Sequence, residues 1–287
     1  MEIGYNWQAS GFVVGDLSIR ASHLFDNISI KDIAFSKTPY PLLWAVTDEG
    51  NLLGFTYLPD QNVGAWHQHV TVNGSFESVC VVPEGKEDIL YVTVRRRING
   101  SYVRYIERMH EQHYANLQDC FYVDCGATYD GEKTTTIKGL NWLEGETVAI
   151  LANGCVLPKQ IVKDGQIKLS QPSTKVQVGL PITSDLRTLP AVVQLQDGSF
   201  GVGHMKNINE VWARLYRSSG FFAGPDFDKL VEFKQRTTEP YGSPPRLISQ
   251  EIALTTQAQW TDTGNVCNRQ VDPLPLRVVS IAFELAE

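Results

Sequence analysis

The feature that most constrains the fold is a succession of short alternating apolar and polar runs, ended about every 8 to 12 positions by turn-forming residues. Alternation with a period of two is typical of β-strands that bury one face. The clearest runs are Leu42–Thr47, Leu52–Leu58, Ser78–Val82, Ile89–Arg96 and Tyr102–Ile106. Asn-Gly pairs such as Asn99-Gly100 lie between runs and tolerate the positive φ of a tight hairpin. The pattern predicts an all-β protein.

One window is ambiguous. Ile208, Val211, Trp212 and Leu215 follow the spacing of a helix face, but the same residues also fit a strand. Because its neighbours are all strand-like, we interpret this window as a strand.

A weak internal repeat suggests the architecture of the first part of the chain. The run around Leu43, its turn and the following run recur around Leu90, 47 positions later. Four strands in 40 to 50 residues are typical of a propeller blade, although a plain meander fits as well. Two such units fit between about residues 30 and 120, whereas a propeller needs at least about four blades. We therefore expect open edges that neighbouring subunits cover, or a chain that is the C-terminal part of something longer.

The sequence pattern changes after Cys120. Short strands and Gly turns predict a small β-barrel-like unit, and a Pro-rich β-sandwich-like unit follows. The predicted domains are 1–120, propeller-like; 121–185, barrel-like; and 186–287, sandwich-like.

Composition excludes several classes of protein. With 43% hydrophobic and 20% charged residues, disorder is ruled out. A net charge of −7 leaves no basic domain to grip nucleic acid through its phosphates. No apolar stretch approaches the length of a membrane span, and Lys31 is the first lysine, so we expect neither a span nor a secretory signal. Five cysteines without a Cys-x-x-Cys pair predict neither a disulfide framework nor a zinc ribbon.

Motifs for catalysis are weak throughout. No nucleophile elbow or phosphate loop is present, and the paired carboxylates Asp226 and Asp228 lie in a Gly-Pro turn that nothing else singles out. His67 and His69 share one strand face and are weak metal candidates, as is the His110-x-x-His113 pair. Since a site needs three or four convergent ligands, we expect surface or interface histidines, no metal, no cofactor and no enzymatic activity.

Five residues are candidates for an interface. On a strand, Arg95 and Arg97 share one face and Arg96 takes the other. They could contact an acidic neighbour or nucleic acid, or guard an edge strand with charge. Phe221 and Phe222 lie between glycines, either at an exposed tip that is buried on assembly or in the core.

Several longer strings follow one another over most of residues 60 to 287, namely Gly64–His69, Gly74–Val79, Pro83–Gly85, Tyr91–Arg96, Arg104–Glu107, Gly139–Val148, Val178–Leu186 and Arg236–Pro245. In this order they resemble the nozzle or tail tubular proteins of short-tailed bacteriophages and their prophage relatives. Members of that family are generally longer and have an N-terminal portion ahead of the blade-like region. The resemblance thus implies a tail component that corresponds to the C-terminal portion of a nozzle.

The resemblance also implies partners and a location. We expect a ring of copies that contacts other tail subunits in the adaptor or portal complex, with DNA passing through without specific binding. The protein would be made in the bacterial cytoplasm and reside in the virion tail. An acidic subunit suits this role because it repels passing phosphates. Two alternatives stay open, namely a carbohydrate- or receptor-binding module that uses Trp66, Trp142, Trp212 and Trp260, and a glycan hydrolase.

Overall fold

The protein is all-β. A computed structural model describes residues 2–61, 63–111, 114–192, 201, 203–236, 238–240 and 242–286. These residues form 20 strands in six antiparallel sheets, none of which closes into a barrel. The helical segments in this part of the chain are short 3₁₀ turns at Ile19–Leu24, Pro59–Gln61, Leu117–Asp119 and Asn141–Leu143. No helix within the described ranges has the length and apolarity needed to cross a membrane.

The chain divides into two compact units, residues 1–111 and 112–287. The strands of the first unit are β1 (Glu2–Asn6), β2 (Gly11–Gly15), β3 (Ile30–Ser36), β4 (Leu42–Thr47), β5 (Leu52–Leu58), β6 (Val63–His69), β7 (Gly74–Glu84), β8 (Glu87–Ile98) and β9 (Ser101–Arg108). Strands β3 to β6 form one sheet in chain order and β7 to β9 form another, while β1 and β2 form a separate hairpin. The predicted runs of both repeat units, around Leu43 and around Leu90, are therefore confirmed as strands.

These two sheets pack face to face, and side chains from one face of each form a shared core. Trp44, Val46 and Leu52 of the first sheet join Leu90 and Val94 of the second in one buried cluster. Trp44 is further fixed by its indole Nε1, which donates to Ser36 Oγ at 3.1 Å.

The opposite face of the first sheet has a separate cover. Phe55 is buried there and its ring stacks on Trp66, with centroids 4.6 Å apart. Phe25 packs edge-on against Trp66, whose Nε1 donates to the carbonyl of Leu17 at 2.8 Å. Residues 17–25 thus lie over the outer face of this sheet.

The β1–β2 hairpin exposes an apolar face. Register pairs Ile3 with Val14 and Tyr5 with Phe12, so their side chains lie on one side. The side chains of Ile3, Phe12 and the adjoining Trp7 are 70%, 76% and 85% exposed. An isolated two-stranded hairpin is marginally stable in water, so this face is suited to burial against a further surface.

The second unit contains three sheets. Its strands are β10 (Asp124–Lys138), β11 (Thr147–Ala152), β12 (Cys155–Ile161), β13 (Gln166–Leu180), β14 (Ser184–Arg187), β15 (Asn207–Leu215), β16 (Phe222–Gly224), β17 (Val231–Glu232), β18 (Glu251–Thr255), β19 (Cys267–Gln270) and β20 (Val278–Ala286). The sheet orders are β10-β13-β11-β12, β14-β19-β16-β17 and β18-β15-β20.

The window of the sequence that fitted both a helix and a strand lies in this unit. The window from Ile208 to Leu215 is a strand, as predicted, and it is the centre of the last sheet. Its alternate residues Val211 and Ala213 are fully buried, which shows that the strand period rather than the helix period describes the window.

The unit boundary lies ahead of the predicted one at residue 120. Tyr114 belongs to the second unit, where its hydroxyl donates to the carbonyl of Arg217 at 3.1 Å. The guanidinium carbon of Arg217 lies 5.3 Å from the centre of the Tyr114 ring. Leu117 and Cys120 are buried in the same cluster as Leu151 and Leu274. The predicted units 121–185 and 186–287 both lie within the second compact unit.

Candidate functional site

The arginine triplet lies near the end of β8 and divides between the two faces of its sheet. Burial alternates along the strand, so Arg95 and Arg97 are exposed and Arg96 is buried. The period-two interpretation of the triplet is therefore confirmed.

The following turn brings further arginines to the exposed face. Asn99 and Gly100 both have positive φ, at 46° and 79°, and join β8 to β9 in a two-residue turn. The resulting register places Arg104 directly opposite Arg95, and Arg108 opposite Tyr91. Strand alternation then puts the side chains of Arg95, Arg97, Arg104 and Arg108 on one side of the sheet.

Two glutamates on β7 partly neutralise this face. The Arg104 guanidinium donates to both Glu77 oxygens, at 2.7 and 3.2 Å, and holds the pKa of that carboxyl below its usual range. Arg108 donates to Glu84 at 2.8 and 3.1 Å and lowers its pKa in the same way. Arg95 lies 3.9 Å from Glu77. Among the described residues Arg97 forms no ion pair, so the face keeps a positive excess.

An exposed aromatic residue completes the cluster. Tyr102 lies opposite Arg97 and is 71% exposed. The guanidinium carbon of Arg95 lies 5.3 Å from the centre of its ring, within the range of a cation–π contact. We call Arg95, Arg97, Tyr102, Arg104 and Arg108 the arginine face. Tyrosine and arginine are the residues that most often dominate binding energy at protein interfaces.

Arg96 has a different role from its neighbours. Its side chain is fully buried and donates to both Glu107 oxygens, at 2.6 and 2.7 Å, and to the Val72 carbonyl at 2.9 Å. The interface interpretation of Arg96 is therefore corrected: burial leaves no part of its side chain to contact another molecule, and it holds β8 to β9 and to the preceding loop.

The two residues of the Phe221-Phe222 pair differ in burial. Phe221 is 1% exposed and belongs to the core cluster of the C-terminal sheets, so it is a core residue and not an interface candidate. Phe222 begins β16 and is partly exposed.

The two candidate metal ligands lie close together without a third. His67 and His69 are on β6 with ring centroids 5.0 Å apart, and both pack against Trp44. Within the described residues no group of three or more His, Cys, Asp or Glu side chains could hold a metal ion. His113 lies outside the described residues, so the His110-x-x-His113 pair has no structural account.

Burial controls the charge of these histidines. It lowers the pKa of His67, and it lowers the pKa of His69 to about 4 with a smaller contribution from His67. The buried Nε2 of His69 has no hydrogen-bond partner in the part of the chain that is described. The ring of His67 lies directly over Gly54, where a Cβ atom would overlap it. At neutral pH both rings are uncharged packing groups.

The tryptophans considered for sugar binding do not share one surface environment. Trp66 is covered on its ring by Phe55. Trp142 is partly buried and donates to a main-chain carbonyl, and Trp212 is partly buried on β15. Trp260 is 51% exposed.

Asp226, one of the two paired carboxylates in the Gly-Pro turn, forms an ion pair. Asp226 accepts from Arg187 at 3.2 Å. Phe227, between the two acids, lies under the guanidinium groups of both Arg187 and Arg269.

The sequence reasoning missed Arg104, Arg108 and Tyr102 as members of the same surface as the triplet. A signal for them was present, because a two-residue Asn-Gly hairpin fixes which residues of the two strands are opposite each other. The buried partner Glu107 follows from the same register, four residues beyond the position opposite Arg96.

Comparison with known proteins adds no relative. The chain matches no protein-family model, and no curated protein sequence matches it.

Proposed function

We propose that this protein is a non-enzymatic structural component of the tail of a short-tailed bacteriophage or prophage, where copies form part of the conduit for DNA. The proposal combines the resemblance to the nozzle family with the geometry of the first unit. In it, the β3–β6 and β7–β9 sheets act as two propeller-like blades, followed by a barrel-like unit and a sandwich-like unit.

The observation that carries the proposal is the exposed apolar face of the β1–β2 hairpin. Ile3, Trp7 and Phe12 are each at least 70% exposed, and the Tyr5 ring bridges them with centroid distances of 4.9 and 5.5 Å to Trp7 and Phe12. A continuous apolar face of this kind on a small hairpin marks a surface that another subunit covers.

Exposed strand positions in the blade-like region support the same conclusion. β3 pairs only with β4 among the described strands, and its residues Ile33 and Phe35 are 60% and 49% exposed. An edge strand with apolar side chains is a template for association, which closed symmetric assembly removes from solvent.

Charge supports passage of DNA without capture. Each copy carries a net charge of −7, so a ring multiplies a potential that repels phosphate groups. The adaptor or portal complex and other copies of the chain are the proposed partners, and the virion tail is the proposed location.

The test is direct imaging of the purified full chain. We expect light scattering to give a mass of several copies, and negative-stain electron microscopy to show closed rings with an opening wide enough for duplex DNA. A hairpin variant, Trp7→Ser with Phe12→Ser, should remain folded and lose the rings, whereas Ser10→Ala in the same hairpin should keep them. The proposal would be overturned if the protein stays monomeric at every concentration and if an antibody raised against it does not label phage tails in electron micrographs.

A further inference from the structure

The last strand of the second unit lies at the edge of its sheet. β20 (Val278–Ala286) pairs with β15 on one side, and no strand of the described part of the chain lies on its other side. Alternate main-chain N–H and C=O groups of an edge strand point away from the sheet, where another strand can pair with them. Because β20 is nine residues long, it offers an extended row of such groups.

The composition of β20 differs from that of the other long edge strands. Among the described strands, three more of at least eight residues lie at the edge of a sheet, namely β7, β9 and β10. Each of them contains a residue of a kind that discourages edge pairing, and these residues are Pro83, Arg104 and Lys133. β20 contains no Lys, Arg, Pro or Gly, and Glu284 is its one charged residue. An apolar edge of this length favours association with another strand.

The two sides of β20 carry different side chains. The inward side packs on the core cluster of the C-terminal sheets through three partly buried residues, Ile281, Phe283 and Leu285. The outward side exposes Ser280, Ala282 and Glu284. Since the inward residues are only partly covered, a strand added at this edge extends the core over them.

We propose that β20 pairs in antiparallel orientation with β20 of a second copy of this chain, about a two-fold axis at Ala282. The two three-stranded sheets then join into one sheet of six strands. The contact is isologous, because both copies use the same surface. The inference does not rest on the proposed tail assembly, whose contact is the β1–β2 hairpin.

The sequence of β20 is complementary to itself in this register. Ala282 is the middle residue of the strand, so all nine residues lie opposite a residue of the second copy. Ile281 of each copy lies opposite Phe283 of the other, an aliphatic–aromatic pair that continues the core. Glu284 of each copy lies opposite Ser280 of the other, so the two negative charges are kept apart.

Other arrangements of the two strands are less favourable. Parallel pairing in register sets the two Glu284 side chains beside each other, and like charges at such positions are destabilising. An antiparallel shift by one residue places the inward side of one copy on the outward side of the other. The antiparallel register about Ala282 avoids both faults and pairs the whole strand.

The test uses the full chain with Trp7→Ser and Phe12→Ser, which removes the hairpin contact of the proposed tail assembly. We expect this chain to sediment as a dimer in a concentration series. Ser280→Glu places a negative charge opposite Glu284 of the second copy, twice in each dimer, and should raise the dimer dissociation constant about two- to thirtyfold. Ser280→Lys places opposite charges at the same positions and should lower the constant.

Matched controls make the same changes in net charge on the opposite edge of the sheet. Ala253 is exposed on β18, which is the other edge strand of this sheet. Ala253→Glu and Ala253→Lys should leave the dissociation constant unchanged. Circular dichroism checks the fold of every variant.

Cross-linking locates the axis. Ala282→Cys brings the two thiols opposite each other, with Cβ atoms about 5 Å apart, so a short bismaleimide should join the two chains into a covalent dimer. Ala253→Cys should remain monomeric on the same denaturing gel. Both variants also carry Cys80→Ser, because Cys80 is exposed and would react.

The remaining outcomes separate this inference from the proposed function. If the hairpin variant is monomeric at every concentration, β20 does not pair, and rings of the wild-type chain would leave the proposed tail assembly intact. If dimers form but Ser280→Glu and Ser280→Lys shift the dissociation constant in the same direction, or if Ala253→Cys cross-links as well as Ala282→Cys, the contact lies elsewhere and the inference is wrong. If the β20 dimer forms as expected and the wild type forms no rings, the inference stands and the tail assembly fails.

Discussion

Removal of the Glu107 carboxylate should destabilise the protein strongly, because it leaves a charged guanidinium buried. The Arg96 side chain is 0% exposed, and Glu107 holds it by two hydrogen bonds of 2.6 and 2.7 Å. Loss of one partner of a buried ion pair costs about 3–5 kcal/mol. We therefore expect Glu107→Ala to lower the free energy of unfolding by that amount, measured by urea denaturation with tryptophan fluorescence.

A second variant separates charge burial from lost packing. Arg96→Met combined with Glu107→Met removes both charges and leaves the Val72 carbonyl without its 2.9 Å donor, which costs about 1–3 kcal/mol. The double variant should thus be more stable than Glu107→Ala. As a surface control, Glu77→Ala removes the exposed partner of Arg104 and should change the unfolding midpoint little. A cost of less than about 1 kcal/mol for Glu107→Ala, or a double variant less stable than the single one, would refute the reasoning.

Three further predictions concern single positions. Folding lowers the pKa of His69 to about 4, so the unfolded chain binds a proton at this position more readily than the folded chain does. The free energy of unfolding should therefore fall as the pH drops from 6.5 towards 4, by on the order of 3 kcal/mol in total. Thermal melts between pH 7.5 and 5 should show a steeper loss of stability for the wild type than for His69→Phe, and equal slopes would contradict this. Gly54→Ala should lower the free energy of unfolding by about 1–3 kcal/mol, because the new Cβ atom forces the His67 ring away. Gly4→Ala has open space around its Cβ and should leave the melting temperature unchanged. Equal melting temperatures for the two variants would contradict the explanation. Asn153→Ala removes an amide oxygen that accepts three hydrogen bonds from Thr174 and Lys175 of β13, and it should lower the free energy of unfolding by about 1–3 kcal/mol in chemical denaturation. An unchanged free energy of unfolding would contradict this.

Local rules predicted the strands and hairpins of the first unit well. Alternation and the Asn99-Gly100 turn identify β8 and β9, along which burial alternates. β4 and β5 are identified by their apolar runs instead, because both faces of these strands are buried. The same rules separate Arg96 from Arg95 and Arg97. They do not tell which side is buried, because an arginine in a core is stable only when a particular carboxylate reaches it, and that depends on Glu107 eleven positions away.

Longer-range pairing was beyond the reach of the sequence. β15 pairs with β20, so Ile208 faces Leu285, and nothing local specifies that partner. β10 and β13 pair over 15 residues each with three register shifts, at which the side-chain alternation changes face. Propensity and turn chemistry describe neighbours along the chain, whereas these pairings are fixed by packing of the whole unit.

The arginine face concentrates like charges on one side of a single sheet. Arg95 and Arg104 lie directly opposite each other, an arrangement that like charges make unfavourable. Glu77 offsets the repulsion by contacting both, but Arg97 adds a further positive charge without an ion pair in the described residues. Four arginines and an exposed tyrosine therefore lie on one side of this sheet, and because Glu77 and Glu84 balance only part of their charge, the face stays positive on a chain whose net charge is −7.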